Sequence, residues 1–309
     1  MIWKKYGLIY CAAGESPQMM AGGRAPCALH LEQNTYRIYF AAYDQDGRGR
    51  IFSLDIDITR PQDILHLHSE AYVDIGHTGF FNDNGIIPSW ILKHDERILM
   101  YTIGFSKKNQ VMFDAASGLA VSDDDGRSFQ AYNGTVLDRS FYDPCFAASP
   151  CVLYNKETFH MWYVSCDKWE HLDDGTFRHY YNIKYKQSDD GIHWQHIPQI
   201  AVDYQNQYEY AISRPSVFIE PSGLHRMWYS YRAQENIKTY RIGYAESEDG
   251  INWTRKDHLA GIDVSESGWD SEMICYPYVF QHQEKKYMLY NGNGYGKSGF
   301  GLAVLENEK

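Results

Sequence analysis

No apolar run in this chain of 309 residues approaches the roughly 18 that cross a bilayer, so no membrane contact is expected. Its first residues, MIWKKYGLIYCAAG, hold too short an apolar stretch and too little preceding positive charge for an export signal. Metal-ligand spacing is missing among the six cysteines, Cys11, Cys27, Cys145, Cys151, Cys166 and Cys275. Without an export signal they are expected as free thiols in a cytoplasmic, reducing setting. Positive charge is in deficit: 29 Lys and Arg face 40 Asp and Glu, a formal net charge of −11. A nucleic-acid partner is therefore excluded, since phosphate contacts need a basic surface. There is no P-loop, no dinucleotide fingerprint and no H-E-x-x-H among the 13 histidines, so no cofactor or metal is expected. Helical periodicity is lacking throughout.

What the chain does have is repetition. Five segments share a proline, a short apolar run and an aromatic-rich strand: 21–44, 83–105, 145–167, 210–232 and 272–294. The prolines are Pro26, Pro88, Pro150, Pro215 and Pro277, in steps of 62, 62, 65 and 62 residues. An aromatic follows 13 residues later in four repeats, at Tyr39, Tyr101, Tyr163 and Tyr290. In the fourth repeat Tyr229 follows at 14, because the PSG turn adds a residue.

Three repeats continue with SGLAVSDDDGRSF (117–129), NIKYKQSDDGIHW (182–194) and RIGYAESEDGINW (241–253). Each reads as a strand, a tight Asp-Gly hairpin and a further strand. The first also fits the Asp-box pattern S-x-D-x-G-x-x-W/F, but an Asp-Gly turn needs no reason beyond structure. Four short strands per repeat predict an all-β fold, a five-bladed β-propeller of four-stranded blades, as one domain over 1–309. The fifth repeat ends with FGLAVLENEK (300–309) and lacks the hairpin, whereas IWKKYGLIY (2–10) resembles the missing strand. The N-terminal strand is thus expected to complete the last blade and cover an open edge.

The segments before the prolines lead into the innermost strands and should line one mouth of the channel. They carry Asp83, Asp143, Glu209, Asp270 and Glu272, while the first carries Arg24 instead. Carboxylates converging there suit glycosidic-bond chemistry, which needs a proton donor and a base or nucleophile. Glu272, set among apolar neighbours in WDSEMICYP, is expected as the general acid, Asp83 as base or nucleophile, and Glu209 in positioning. Asp143 and Asp270 are expected to orient substrate. Arg24, Arg48, Arg214 and Arg232 offer guanidinium groups for a carboxylate or phosphate. The chain is rich in aromatics, with 26 Tyr and 8 Trp. Trp169, in a long loop, is the best stacking platform, whereas Trp162 and Trp228 fall in the repeat pattern and suit the core.

With these repeats and S-x-D-G-x-x-W hairpins, the whole chain resembles the five-bladed propeller superfamily of arabinanases, levansucrases and invertases, with glycoside hydrolase families 32, 43 and 130. DNGIIPS, DPCFAASP, ISRPSV and RIGYAESEDGINW look like its bacterial members associated with surface-polysaccharide biosynthesis. The resemblance implies a carbohydrate-active, glycosidase-like enzyme with a sugar, oligosaccharide or sugar-phosphate partner. Families 32 and 43 are expected to place an aspartate before the first inner strand, where this chain reads AGGRAP. That departure keeps open a phosphorylase or glycosyltransferase acting on a phosphate-bearing sugar. It also keeps open a non-catalytic glycan-binding propeller.

Overall fold

The computed structural model describes residues 1–234 and 237–307. It is built from short antiparallel strands joined in sequence order. Strand β1 (Ile2–Tyr10) comes first. A meander follows of β2 (Ala21–Glu32), β3 (Thr35–Tyr43), β4 (Gly49–Asp57) and β5 (Ile64–Val73). The next contains β6 (Ile86–His94), β7 (Arg97–Ser106), β8 (Asp114–Ser122) and β9 (Gln130–Ala131). The third has β10 (Phe146–Asn155), β11 (Thr158–His171), β12 (Phe177–Ser188) and β13 (Gln199–Val202). The fourth has β14 (Glu209–Ile219), β15 (His225–Ala233), β16 (Arg241–Ser247) and β17 (Thr254–Arg255). These last two meanders touch through one parallel pairing, Tyr181 with Ala211, and so form a single eight-stranded sheet. The final sheet contains β18 (Cys275–His282), β19 (Lys285–Asn291) and β20 (Phe300–Asn307).

β1 adds to this last sheet, antiparallel to β20. The expected pairing of the first strand with the fifth repeat is thus present; of the tract 300–309, residues 308 and 309 lie outside the described residues. Asn291 on β19 binds across to the first repeat: its Oδ1 accepts from the Ala25 amide at 2.7 Å and its Nδ2 donates to Gly23 O at 2.6 Å. No helix among the described residues is long and apolar enough to cross a membrane.

The second strand of the first two repeats is buried on both faces and mostly apolar, with Arg37 of β3 paired to Asp55 at 2.8 Å. In β3 and β7, residues 36–42 and 98–104 are all buried. A strand covered on both sides reads as a continuous apolar run rather than an alternation, which is why the aromatics at Tyr39, Tyr101, Tyr163 and Tyr290 stand out so regularly. All four are fully buried.

The Asp-Gly hairpins have a structural use. Tyr39 Oη donates to Gly126 O at 2.6 Å, Tyr101 Oη to Gly191 O at 2.9 Å, and Trp162 Nε1 to Gly250 O at 2.8 Å. Each of the first three repeats therefore clasps the hairpin of the next. The hairpin glycines have φ of +80°, +74° and +74°, a conformation open to glycine at little cost.

Every repeat proline coincides with a break in strand register. The shifts fall between Arg24 and Cys27, Pro88 and Trp90, Ala148 and Cys151, Ser213 and Ser216, and Cys275 and Tyr278. Proline cannot donate a ladder hydrogen bond, so an extra residue is accommodated there as a bulge. In four repeats the residue before proline takes positive φ: Ala25 at 58°, Ser149 at 56°, Arg214 at 53° and Tyr276 at 58°. Such non-glycine conformations cost about 1–3 kcal/mol each and cluster where side chains must be re-aimed.

Candidate functional site

The bulges aim their side chains into one cavity of about 440 Å³. Ile86, Ile87, Ala148, Ser149, Ser213, Arg214 and Tyr276, one and two positions before their prolines, all line it, as does Arg24. A hydrophobic cluster distinct from the main core wraps these walls and includes Ile87, Ile103, Phe146, Val164 and Tyr240.

Three arginines dominate one side. Arg24 donates through Nε to Tyr295 O at 2.7 Å, and its guanidinium lies 5.6 Å from the ring centres of both Tyr43 and Tyr295. Arg232 donates through Nη1 to Tyr295 Oη at 2.8 Å and lies 4.9 Å from the rings of Tyr210 and Tyr240. Tyr295 therefore bridges these two arginines. Arg214 is buried and donates to Pro88 O at 3.0 Å and Ala25 O at 3.3 Å, tying the fourth repeat to the first two. Burial pushes its guanidinium below the ordinary value.

His179 also lines this side. Arg232 Nη2 lies 3.3 Å from His179 Nε2. An arginine only donates, so Nε2 is the acceptor and Nδ1 carries the proton. Burial, reinforced by the Arg232 charge, lowers His179 to about 3, which keeps the ring neutral. The ring stacks on Tyr181 at 4.9 Å, and the Tyr181 and Tyr240 hydroxyls are hydrogen-bonded to each other. Burial raises both hydroxyls above the usual tyrosine range. Among the described residues, His179 Nδ1, Arg232 Nε and Tyr43 Oη are buried without a hydrogen-bond partner.

No Asp or Glu is found among the described residues lining the cavity. The three carboxylates expected as catalytic lie elsewhere and are not brought together there. Asp83 accepts the Gly79 amide at 2.9 Å and borders a separate hollow with Asp114, Asp138 and Arg139. Glu209 is buried in a two-pronged pair with Arg255, at 2.6 and 3.0 Å. Glu272 is exposed, not surrounded by apolar residues, because Met273 and Ile274 after it are buried in the core. Its backbone, rather than its carboxylate, is engaged, with its amide donating to Asn293 Oδ1 at 2.8 Å.

Of the residues expected to bind substrate, the structure brings Arg24, Arg214 and Arg232 together at the cavity and leaves the others outside its lining. Arg48 turns back onto Asp44 and Asp46, each at 3.0 Å. Asp143 is fully buried, accepting from Ser140 Oγ at 2.7 Å and Tyr163 Oη at 3.0 Å beside Lys184 and Lys186. Asp270 is buried against Lys5 at 2.8 Å. Trp169 is half-buried against Phe113, Phe146 and His179, which do line the cavity. His179 and Phe113 are lining residues that the repeat pattern does not single out. Both lie outside the proline segments, and His179 stands on the part of β12 that pairs with an extended β11.

No known protein-family model matches the chain. Uncharacterized protein MT1551 and Uncharacterized protein Rv1502, both of Mycobacterium tuberculosis, are each 36% identical to it over 309 residues, spanning 99% of this chain and 100% of theirs. Among solved structures, the α-L-arabinofuranosidase PaAbf62A from Podospora anserina is similar with a TM-score of 0.68 at 8% identity, covering 99% of this chain and 97% of that one. A thermostable family-43 glycoside hydrolase gives 0.66 at 15% identity, covering 95% and 93%. An endo-arabinase from Bacteroides thetaiotaomicron gives 0.62 at 15% identity, covering 96% and 98%. At such identities the likeness is one of fold.

Proposed function

We propose that this chain, which belongs to the family of the Mycobacterium tuberculosis proteins MT1551 and Rv1502, is a carbohydrate-active protein whose central cavity binds a sugar through a phosphate or carboxylate. In this reading residues 1–309 are one five-bladed propeller, and the arginine cavity is its channel mouth. The observation that carries it is the presence of Arg24, Arg214 and Arg232 in a cavity whose described lining has no carboxylate. Charges withdrawn from water require a counter-charge, and the whole chain is acidic, so this local excess of positive charge has a purpose. Guanidinium groups match the planar, two-oxygen edge of phosphate and carboxylate. The tyrosine rings around them provide faces on which a sugar can stack.

The glycoside hydrolases among the structural neighbours support sugar chemistry. Hydrolysis through paired carboxylates would need both groups flanking the glycosidic bond, and Asp83, Glu209 and Glu272 all lie outside the cavity lining. The geometry therefore favours phosphorolysis or glycosyl transfer on a phosphate-bearing sugar. In that chemistry the bound phosphate is itself the nucleophile or the leaving group, and the neutral His179 and the Tyr181–Tyr240 pair supply hydrogen-bond donors to its oxygens. A cytoplasmic role in making surface polysaccharide agrees with this, since sugars are activated there as phosphates.

The test is a calorimetric comparison of glucose 1-phosphate, glucuronate and glucose with the wild-type chain and with Arg24→Gln and Arg232→Gln. The reading expects the anionic sugars to bind at least tenfold more tightly than glucose, and each substitution to remove most of that preference. Equal binding of charged and neutral sugars would refute it. Phosphate-dependent release of sugar from an oligosaccharide panel then separates an enzyme from a binding protein.

A further inference from the structure

The cavity has two unlike walls. The arginines come from β2, β14 and β15, and the rest of that side comes from Tyr43, Tyr240, Tyr276, Tyr295 and β12. Away from the arginine contacts the lining is contributed by Ile86 and Ile87 of β6, Ile103 and Phe105 of β7, Phe113 and Phe146, together with Asn84. Phe113 contacts both Phe105 and Phe146, with ring centres 5.7 Å apart in each case, so the aromatic side chains form a continuous surface. Met112, 61% exposed, extends that surface to the rim. Aliphatic and phenyl side chains cannot pair with a sugar hydroxyl, and a hydroxyl buried against them would lose its water partners without replacement. Such a wall favours an apolar ligand surface.

We infer that the ligand is an amphipathic anion, with a phosphate or carboxylate on the arginine side and an apolar substituent of several carbons against the wall formed by Ile87, Ile103, Phe105, Phe113 and Phe146. Sugar phosphates that carry an acyl or other hydrocarbon substituent are in this class. The inference rests on the anion-binding reading above and adds what lies on the other side of the anion. His179 joins the two walls: it accepts from Arg232 and its ring lies 5.8 Å from that of Phe113. The anionic and apolar parts of the ligand must therefore be close to one another.

Calorimetric titration of the full chain with methyl phosphate and n-hexyl phosphate tests this, with acetate and hexanoate as the carboxylate arm and n-hexyl glucoside as the neutral control. Each methylene that leaves water strengthens binding by up to about fourfold, so the hexyl phosphate should bind at least tenfold more tightly than the methyl. Five methylenes are added in the phosphate arm and four in the carboxylate arm, so the arm with the larger gain per methylene identifies the anion. Phe113→Ser and Ile103→Ser should each reduce the hexyl-to-methyl ratio several-fold. Circular dichroism spectra and melting curves like those of the wild type show that these variants are folded. If methyl and hexyl phosphate, and likewise acetate and hexanoate, bind within twofold of each other, this inference is wrong and the anion-binding reading stands. If no anion in either arm binds, both are wrong. A ratio unaltered in both variants would place the hydrocarbon elsewhere and also overturn the inference.

Discussion

Lys5 on the first strand and Asp270 before the last repeat proline meet at 2.8 Å across 265 residues of sequence. Tyr290 Oη donates to the same Asp270 oxygen at 3.1 Å. The contact adds a side-chain link to the β1–β20 pairing, and both couple the start of the chain to its last sheet. Asp270→Ala would leave the buried Tyr290 hydroxyl without its acceptor and the partly buried Lys5 ammonium with Ser265 Oγ at 2.9 Å alone. Stability should fall by about 1–3 kcal/mol, with Lys5 retaining some access to water. A urea midpoint equal to that of the wild type would contradict the linkage.

His179 gives a pH dependence of known sign. Its folded value is about 3 and its ordinary value 6.5. Between them the unfolded chain takes up the proton and the folded chain does not. The stability held by the neutral ring is complete above about 6.5 and is lost as pH falls towards 3. His179→Gln should flatten that part of the stability curve, and urea midpoints across this range for both proteins provide the check. Parallel curves would mean that the ring is not held neutral.

Glu209 and Asp83 should behave differently from the arginines. Glu209→Gln disturbs the buried pairing with Arg255, which also holds Asp257 at 2.6 Å, and should lower stability by up to about 3 kcal/mol. Asp83→Asn should leave both stability and anion affinity nearly unchanged. A thousandfold loss of turnover in Asp83→Asn or Glu272→Gln, with normal folding, would restore the carboxylates as the catalytic pair.

The order of strands was readable because proline and aromatic spacing report the same register in each repeat. The clasps were partly readable too: Asp-Gly announced the turn, although nothing local announced the tyrosine or tryptophan that reaches it. The cavity was half readable. Arg24 and Arg214 sit within two residues of their prolines, where the bulge turns side chains inward. The acids lie further out, in turns preceding the strands or, for Glu209, at the first position of β14, and distance from proline along the chain does not fix direction there. Asp143 shows the difficulty most clearly, since seven residues before Pro150 the chain runs beneath its own sheet and buries the carboxylate against Tyr163. His179 was invisible because its place depends on the pairing of β12 with a lengthened β11.

The clasps can be probed through their glycines. A methyl group on Gly191 would lie 2.9 Å from Tyr101 Oη and 3.1 Å from Phe159, at a φ of +74°. Gly191→Ala should therefore cost about 1–3 kcal/mol through strain and a displaced hydrogen bond. Gly134, with nothing within 4 Å of its Cβ position, is the control, and Gly134→Ala should be neutral. Equal melting temperatures for the two variants would remove the clasp from the account of stability.

The β1–β20 pairing also decides how the molecule would respond to being pulled. Ile2 lies opposite Asn307, and Tyr10 lies opposite Phe300. Handles attached before Ile2 and after Asn307 would enter at the same end of this antiparallel pair, so tension would load its hydrogen bonds one after another instead of all together. The strand would peel like a zip at low force, exposing the edge of β20 before any clasp between repeats bore load.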